Sequence, residues 1–383
     1  MQNLNKNSFY FYVNTTLLSF IIVWILIAGI TSLLTVKLSS DLINTWIKDS
    51  DSTNMFLSIL KSGNQYFVKN EDIEEISLSE ITLKLATSVK PEDPRTFLGR
   101  ELPGFSLFDT KIQIAGKGTD YTTLPIESPP PMEELLKERE IIQSELDQYL
   151  KEDNTSNYPL GHKTIERKNV YIYHTHSWES FLPLLKNAKE PKDAISNNNN
   201  VNVVSIGSKL TKILESKGIG TEHETTNVTQ ELHKKGWSSS NSYKFSRSLV
   251  TEAMGYNKEL EYLIDIHRDS LRKDKTTIKI NGKYYARILF VVGESNKNFG
   301  KNLKLAEDFH YALEKKYPGL SKGVTSKDKT KGNGVYNQDL SDRAMLIEFG
   351  GVDNNSEEIN NTINAFAEVF SEYYWNTKNA ESY

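Results

Sequence analysis

Apolar residues are spread unevenly along this chain, and their spacing changes character three times. From Tyr10 to Val36 the sequence YFYVNTTLLSFIIVWILIAGITSLLTV carries no charge. A run of that length crosses a bilayer with some tilt, and Lys6 and Lys37 bracket it. A cleaved signal peptide has a shorter apolar stretch and a small-x-small cleavage site. This run is long and has no clear site of that kind, so residues 1–37 read as a short tail and an uncleaved single-pass anchor. The flanking lysines balance, so the positive-inside rule does not orient it.

Residues 38–131 form a polar membrane-proximal region. Leu42, Ile43, Trp46 and Ile47, then Met55, Phe56, Ile59 and Leu60, recur at helical spacing. Leu102-Pro103-Gly104-Phe105 predicts a turn, Ile112-Gln113-Ile114 a short strand, and Ser128 to Pro131 a stiff break. Residues 132–168 predict a helix and linker. MEELLKEREIIQSELDQYL, Met132 to Leu150, places Leu135, Leu136, Ile142 and Leu146 on one side, follows a proline and is acidic in its first turn.

From residue 169 to 383 the pattern alternates between two periods. Short β-rich runs fall at 170–173, 262–266, 285–292 and 344–349. Amphipathic helical runs fall at 203–216, 243–253, 302–316 and 357–375. Strands separated by helices predict an α/β fold with a central, mostly parallel sheet covered on both faces.

Composition narrows the chemistry. At roughly 150 residues per domain, a chain of this size holds two domains or one large domain with appendages. With 46 Lys plus Arg against 50 Asp plus Glu, the net charge is -4, which counts against a nucleic-acid binder. There is no cysteine, which removes disulfides, thiolate zinc sites, iron–sulfur clusters and cysteine nucleophiles. No Gly-rich phosphate loop and no Ser-centred nucleophile elbow is present.

In an open α/β sheet the functional positions are the C-terminal ends of strands. Three strand ends here carry unusual groups. In HTHSWES, His174 to Ser180, an H-x-x-E spacing joins His176 to Glu179 beside a second histidine. Imidazole nitrogens and a carboxylate suit zinc, and a catalytic zinc needs three protein ligands. In DIHRDS, Asp265 and His267 share a strand face. His267 would be the remote third ligand, with Asp265 or Asp269 holding its other ring nitrogen. In LIEFGG, Glu348 emerges from an apolar strand, a costly place for a carboxylate unless it is paired or functional. Each signal has a plain structural alternative: a surface loop, a His–Asp hydrogen bond, and a Glu bound to Arg343. His223 follows a plausible short strand and is a reserve ligand.

Together with the order ELPGFSLFDTKIQIAGKGTDYTTLPIESPPP (Glu101 to Pro131), HTHSWES, DIHRDS and EFGG followed by Asn354-Asn355 and Glu357-Glu358, this pattern resembles the stage II sporulation protein P family of membrane-anchored peptidoglycan hydrolases. The resemblance covers the anchor, the middle segment and the region from about Asn169 to Trp375. It implies an amidase-like catalytic domain over 169–383. The activity implied is that of a zinc-dependent N-acetylmuramoyl-L-alanine amidase with added endopeptidase activity on peptide cross-links, working in septal wall thinning and engulfment. Carried over by position, His176, Glu179 and His267 would hold Zn2+, with His174 as the alternate to His176. Glu348 would be the catalytic acid/base, and Arg268 would stabilise charge on the peptide or the oxyanion. Expected partners are peptidoglycan, the membrane, a lytic transglycosylase (stage II sporulation protein D) and a further membrane protein of the engulfment complex. The catalytic domain would lie on the extracytoplasmic side. The family pattern has a small or polar residue and a Tyr where this chain has Trp178 and Phe181, a change expected at substrate contacts. The rival readings are an inactive wall-binding or scaffold module and a zinc carboxypeptidase, the latter needing a basic pocket from Arg247 or Arg268.

Overall fold

In the central strands, apolar side chains occupy both faces of the sheet, which places helices on either side. The computed structural model of the protein describes residues 110–125, 129–151, 167–329 and 332–381, all within one compact unit, Leu98–Tyr383. The anchor expected at 1–37 and the helices expected within 38–90 lie outside the described residues. Among the described residues, no helix is long and apolar enough to cross a membrane.

The sheet is built from β1 (Lys111–Ala115), β2 (Val170–Tyr173), β3 (Thr221–His223), β4 (Tyr262–Asp269), β7 (Ile288–Gly293), β8 (Ser321–Lys327) and β9 (Arg343–Gly351). A separate hairpin joins β5 (Thr277–Ile280) to β6 (Lys283–Ala286). The order in the main sheet is β1-β8-β7-β9-β4-β2-β3. Strands β3, β2, β4 and β9 run parallel, as do β7 and β8, while the β9–β7 and β8–β1 pairs are antiparallel. The mostly parallel α/β sheet is therefore present, with a reversal of direction between β9 and β7.

Alternation along β4 and β9 separates two cores. Ile264, Ile266, Met345, Ile347 and Phe349 face one layer, where they meet α3 (Val203–Ser216), α7 (Phe299–Lys316) and α8 (Ser356–Glu381) through Leu210, Phe309, Phe366 and Phe370. Tyr171, Tyr173, Leu263 and Ala344 face the other layer, where Val250 and Ala253 of α5 (Ser242–Tyr256) cover them. Helix α3 starts where it should. Asn202 accepts from the Val204 N–H, satisfying one of the helix's orphan donors.

Two predicted elements are broken. The helix expected over Met132 to Leu150 is split into α1 (Met132–Leu135) and α2 (Gln143–Lys151). Between them Ile141 bridges Leu185, and the Ile142 N–H donates to the Leu184 carbonyl. Tertiary pairing thus overrides the helical pattern at its middle. The strand expected over 285–292 is interrupted at Arg287. That residue is buried, its backbone N–H donates to the Thr276 carbonyl and its Nε donates to the Gly319 carbonyl. The described segments before residue 169 are part of this same fold. Strand β1 pairs with β8, Leu146 and Tyr149 of α2 join the large core, and Leu135 of α1 is fully buried.

A costly buried group is Lys322 of β8. It is 1% exposed, and its Nζ lies 2.6 Å from Asp269 Oδ2 at the end of β4. Asp269 Oδ1 accepts from the Leu271 N–H, which fixes the turn that leaves β4. Lys322→Met strands a buried carboxylate and is expected to cost about 3–5 kcal/mol of unfolding free energy. The double change Lys322→Met with Asp269→Leu should regain part of that loss in urea titrations. Equal stability of the single variant and the parent would show that the pair contributes nothing.

Candidate metal centre

The parallel strands β2, β4 and β9 are neighbours, so their C-terminal ends open at the same edge of the sheet. Register places Tyr173 beside Asp265 and His267 beside Glu348. Asp265, His267 and Glu348 all lie on the face covered by α5, by the same alternation that sends Ile264, Ile266 and Ile347 to the opposite core.

After β2 the chain turns. The Glu179 N–H donates to the His176 carbonyl at 3.0 Å, which brings the two side chains of the H-x-x-E spacing together. His176 Nδ1 lies 3.2 Å from Glu179 Oε1, and His267 Nδ1 lies 3.4 Å from Glu179 Oε2. His176, Glu179 and His267 each offer a ligand atom within 4.8 Å of the others, and so form a group able to hold a metal ion. Two imidazole nitrogens and one carboxylate oxygen are a catalytic zinc donor set. The surroundings fit as well, because Asp265 Oδ1 sits 3.2 Å from the outer nitrogen of His267, Nε2. A carboxylate in that place fixes ring orientation and raises ligand basicity.

Asp265 is fully buried and also accepts from the Thr175 N–H at 2.9 Å and the Thr175 hydroxyl at 2.6 Å. That hydroxyl is 2.8 Å from Ser246 Oγ, to which the Asn337 side chain donates. One carboxylate therefore fixes both the start of the His176 loop and the His267 ring. Asp269, the other candidate for that partnership, is taken by Lys322.

Electrostatics agree with the geometry. Burial favours the neutral form of Glu179, but the His267 and His176 rings outweigh it and hold the carboxyl well below its usual range. Burial works against the charged form of His267, and Asp265 and Glu179 overcome it, raising that ring well above its ordinary value. A desolvated site of fixed opposite charges is one that a divalent cation can enter by displacing protons.

The remaining predicted residues separate clearly. Glu348 is buried and lines the same pocket as His176, Glu179 and His267, a cavity of about 390 Å³. Arg268 also lines it, and its backbone N–H donates to Glu179 Oε2 at 2.9 Å. His174 is not brought into the group. It points to the opposite side of the sheet, where its Nε2 lies 2.8 Å from His223 Nε2 and its Nδ1 3.3 Å from the Ile266 carbonyl. Burial pushes both rings down, His223 to about 4. Helix α3 passes over this pair at Gly207, where a Cβ would come within 2.4 Å of His223 Nε2 and 2.6 Å of His174 Nε2. Arg247 is engaged by Asp339 through two 2.7 Å hydrogen bonds.

Two aromatic residues bracket the histidines. The Trp178 ring lies 4.7 Å from His176, and Tyr243 at the start of α5 lies 5.5 Å from His176 and stacks parallel to His267 at 6.3 Å. Trp178 is buried with Leu135, Val228 and Phe245. Trp178 also lines the candidate pocket, whereas Phe181 belongs to the large core. The EFGG segment has a backbone role beside Glu348. Gly350 has φ +67°, and a Cβ there would meet Asn354 Oδ1 at 2.6 Å, the oxygen that accepts from the Gly351 N–H. Asn354 in turn donates to Glu358 Oε2, which turns the chain from β9 into α8.

Removing His176 or His267 as Ala is expected to abolish binding of one zinc ion per chain in a competition titration with a chromogenic chelator. His174→Ala should retain that stoichiometry, and Asp265→Asn should weaken affinity by roughly 10–100-fold. Retained stoichiometric zinc in His267→Ala would rule out the triad.

Comparisons with known proteins identify the family. Residues 92–371 match the family model described as Stage II sporulation protein P, a span that includes all three strand ends. A relative from Bacillus subtilis (strain 168), Stage II sporulation protein P, is 50% identical over 328 residues, covering 85% of this chain and 81% of the relative. A family model matching most of the chain and a relative at 50% identity over most of both chains show that the chain belongs to the stage II sporulation protein P family, a family of sporulation proteins.

Proposed function

We propose that this protein is a zinc-dependent peptidoglycan hydrolase that cleaves the amide between the muramic lactyl group and L-alanine, and also peptide cross-links. The observation that carries this reading is the His176–Glu179–His267 group with a second carboxylate, Glu348, lining the same pocket. A structural zinc site closes its coordination with protein ligands, whereas three ligands beside an additional carboxylate leave room for a reaction.

His176, Glu179 and His267 would hold the ion, with Asp265 keeping the His267 ring in place. When bound, zinc supplies a Lewis acid for the amide carbonyl and for the attacking water. Glu348 accepts the proton that this water loses and delivers it to the departing amine, so one carboxylate serves both halves of the reaction. Pro129, Pro130 and Pro131 line the same pocket.

Membership of a sporulation family, with a wall substrate, supports a location at the sporulation septum. The expected anchor at 1–37 would leave a short cytoplasmic tail and hold the catalytic region outside the membrane. A lytic transglycosylase, stage II sporulation protein D, and a further membrane protein of the engulfment complex are the partners this reading implies. Glycan cleavage by the first would complement removal of the peptides.

The test is digestion of purified peptidoglycan by the full chain, with fragments identified by mass spectrometry. Free stem peptides and peptide-free glycans should appear, vanish with a chelator and return with zinc. Glu348→Gln should keep its zinc and lose about 10²–10⁴-fold in turnover. Full hydrolysis by Glu348→Gln would refute the assigned role. A zinc-loaded, folded parent that releases nothing even with the transglycosylase added would favour a wall-binding module, and single terminal residues as products would favour a carboxypeptidase.

A further inference from the structure

The candidate pocket contains a cation that the hydrolytic steps do not use. Arg268 is 8% exposed. Its guanidinium donates to two backbone carbonyls, those of Asp269 at 3.2 Å and Ala194 at 3.1 Å, and its Nε has no hydrogen-bond partner. Among the described residues, no carboxylate forms an ion pair with it. The nearest acid in sequence, Asp269, is committed to Lys322 and the Leu271 N–H. Glu179, which binds the Arg268 backbone N–H, is committed to the two histidine rings.

A buried guanidinium without a counter-charge is costly unless a partner arrives. Carbonyl acceptors orient it without neutralising it. Arg268 lines the same cavity as His176, His267 and Glu348, and a second cation, the exposed Lys192, lines that cavity with Ser270 between them in type, a neutral hydroxyl donor. The other candidate for an anion-binding role, Arg247, is already saturated by Asp339.

We infer that Arg268, with Lys192, forms a carboxylate-binding subsite that holds an acidic peptide beside the scissile bond. An arginine fork suits a planar carboxylate better than a lysine does. The ion pair would also relieve the desolvation that Arg268 carries in the unliganded protein. Of the two roles the sequence leaves open for Arg268, peptide charge and oxyanion, the subsite selects the first. The inference rests on the proposed function only in taking a stem peptide as the ligand. Two carboxylates on such a peptide have the required chemistry: the free carboxylate of an acidic second residue and the C-terminal carboxylate.

The test is binding rather than turnover. The full chain carrying Glu348→Gln, with zinc present, is titrated calorimetrically with N-acetylmuramoyl pentapeptide bearing both carboxylates. Two analogues follow, each with one carboxylate replaced by the carboxamide. One replacement is expected to weaken binding about tenfold or more, equivalent to about 1.4 kcal/mol, and which analogue does so identifies the source. Adding Arg268→Gln should remove the preference, and Lys192→Gln, an exposed position, should reduce it. Equal binding of all three ligands, or no binding, overturns the subsite. If Arg268→Gln does not fold, the three-ligand comparison and Lys192→Gln still decide. A carboxylate preference in a protein whose Glu348 form releases no fragments from peptidoglycan would overturn the hydrolase reading and leave the subsite standing. Hydrolysis without the preference would do the reverse.

Discussion

Asp265 is a carboxylate with no solvent exposure in the middle of an eight-residue buried strand, and its charge has to be satisfied by whatever lies around it. Its neighbours are Thr175, through both backbone and hydroxyl, and His267 Nε2. These are the first residues of one site segment and the ring of another. Satisfying one buried charge therefore fixes the separation of two strand ends, and Glu179 can reach both histidines only at that separation. Register completes the arrangement, since parallel pairing of β4 with β9 sets Glu348 beside His267. The site is in this sense a product of the sheet's register, with a buried carboxylate as the pin that holds the loop above it.

Much of this was legible before any coordinates. Strands β2, β4 and β9 stand out because they are continuous apolar runs ending in polar groups, and α3 because its apolar spacing is regular and stops at Gly218. The H-x-x-E spacing pairs His176 with Glu179. The two-residue alternation of strands sends His174 to the other side, and this becomes visible only once β2 is known to lie between α3 and α5. Strand β8 was not legible. Its sequence, SKGVTSK, is polar apart from Gly323 and Val324, yet every residue is buried. It is tolerated because Lys322 meets Asp269, Ser321 Oγ meets His310 Nδ1 and Ser326 Oγ donates to Glu294. None of those partners is near in sequence. The split of the 132–150 helix was hidden for a similar reason, because the bridge from Ile141 to Leu185 is a tertiary contact.

The aromatic bracket of Trp178 and Tyr243 was also out of reach. Trp178 was visible within HTHSWES, but its position against His176 depends on a hydrophobic cluster that includes Leu135 from well before the site segments. Tyr243 reads as an ordinary helix residue. Only the packing of α5 onto the sheet brings its ring parallel to His267. Rings packed against the histidines limit the orientations these side chains can take, so uncharged residues add to the rigidity that Asp265 supplies.

Strand β9 lies between β4 and β7 in space but follows both in the chain. A sheet whose middle strand is translated after its neighbours cannot zip from one edge. Folding must wait for a late segment to insert between two earlier ones, and the entropy of closing those long loops is paid before the strand's contacts reward it. Glu348 and the residues that turn β9 into α8 arrive in that same segment. A nascent or truncated chain that ends before residue 343 lacks the middle of its sheet and Glu348 together, so the segment that completes the sheet also completes the pocket.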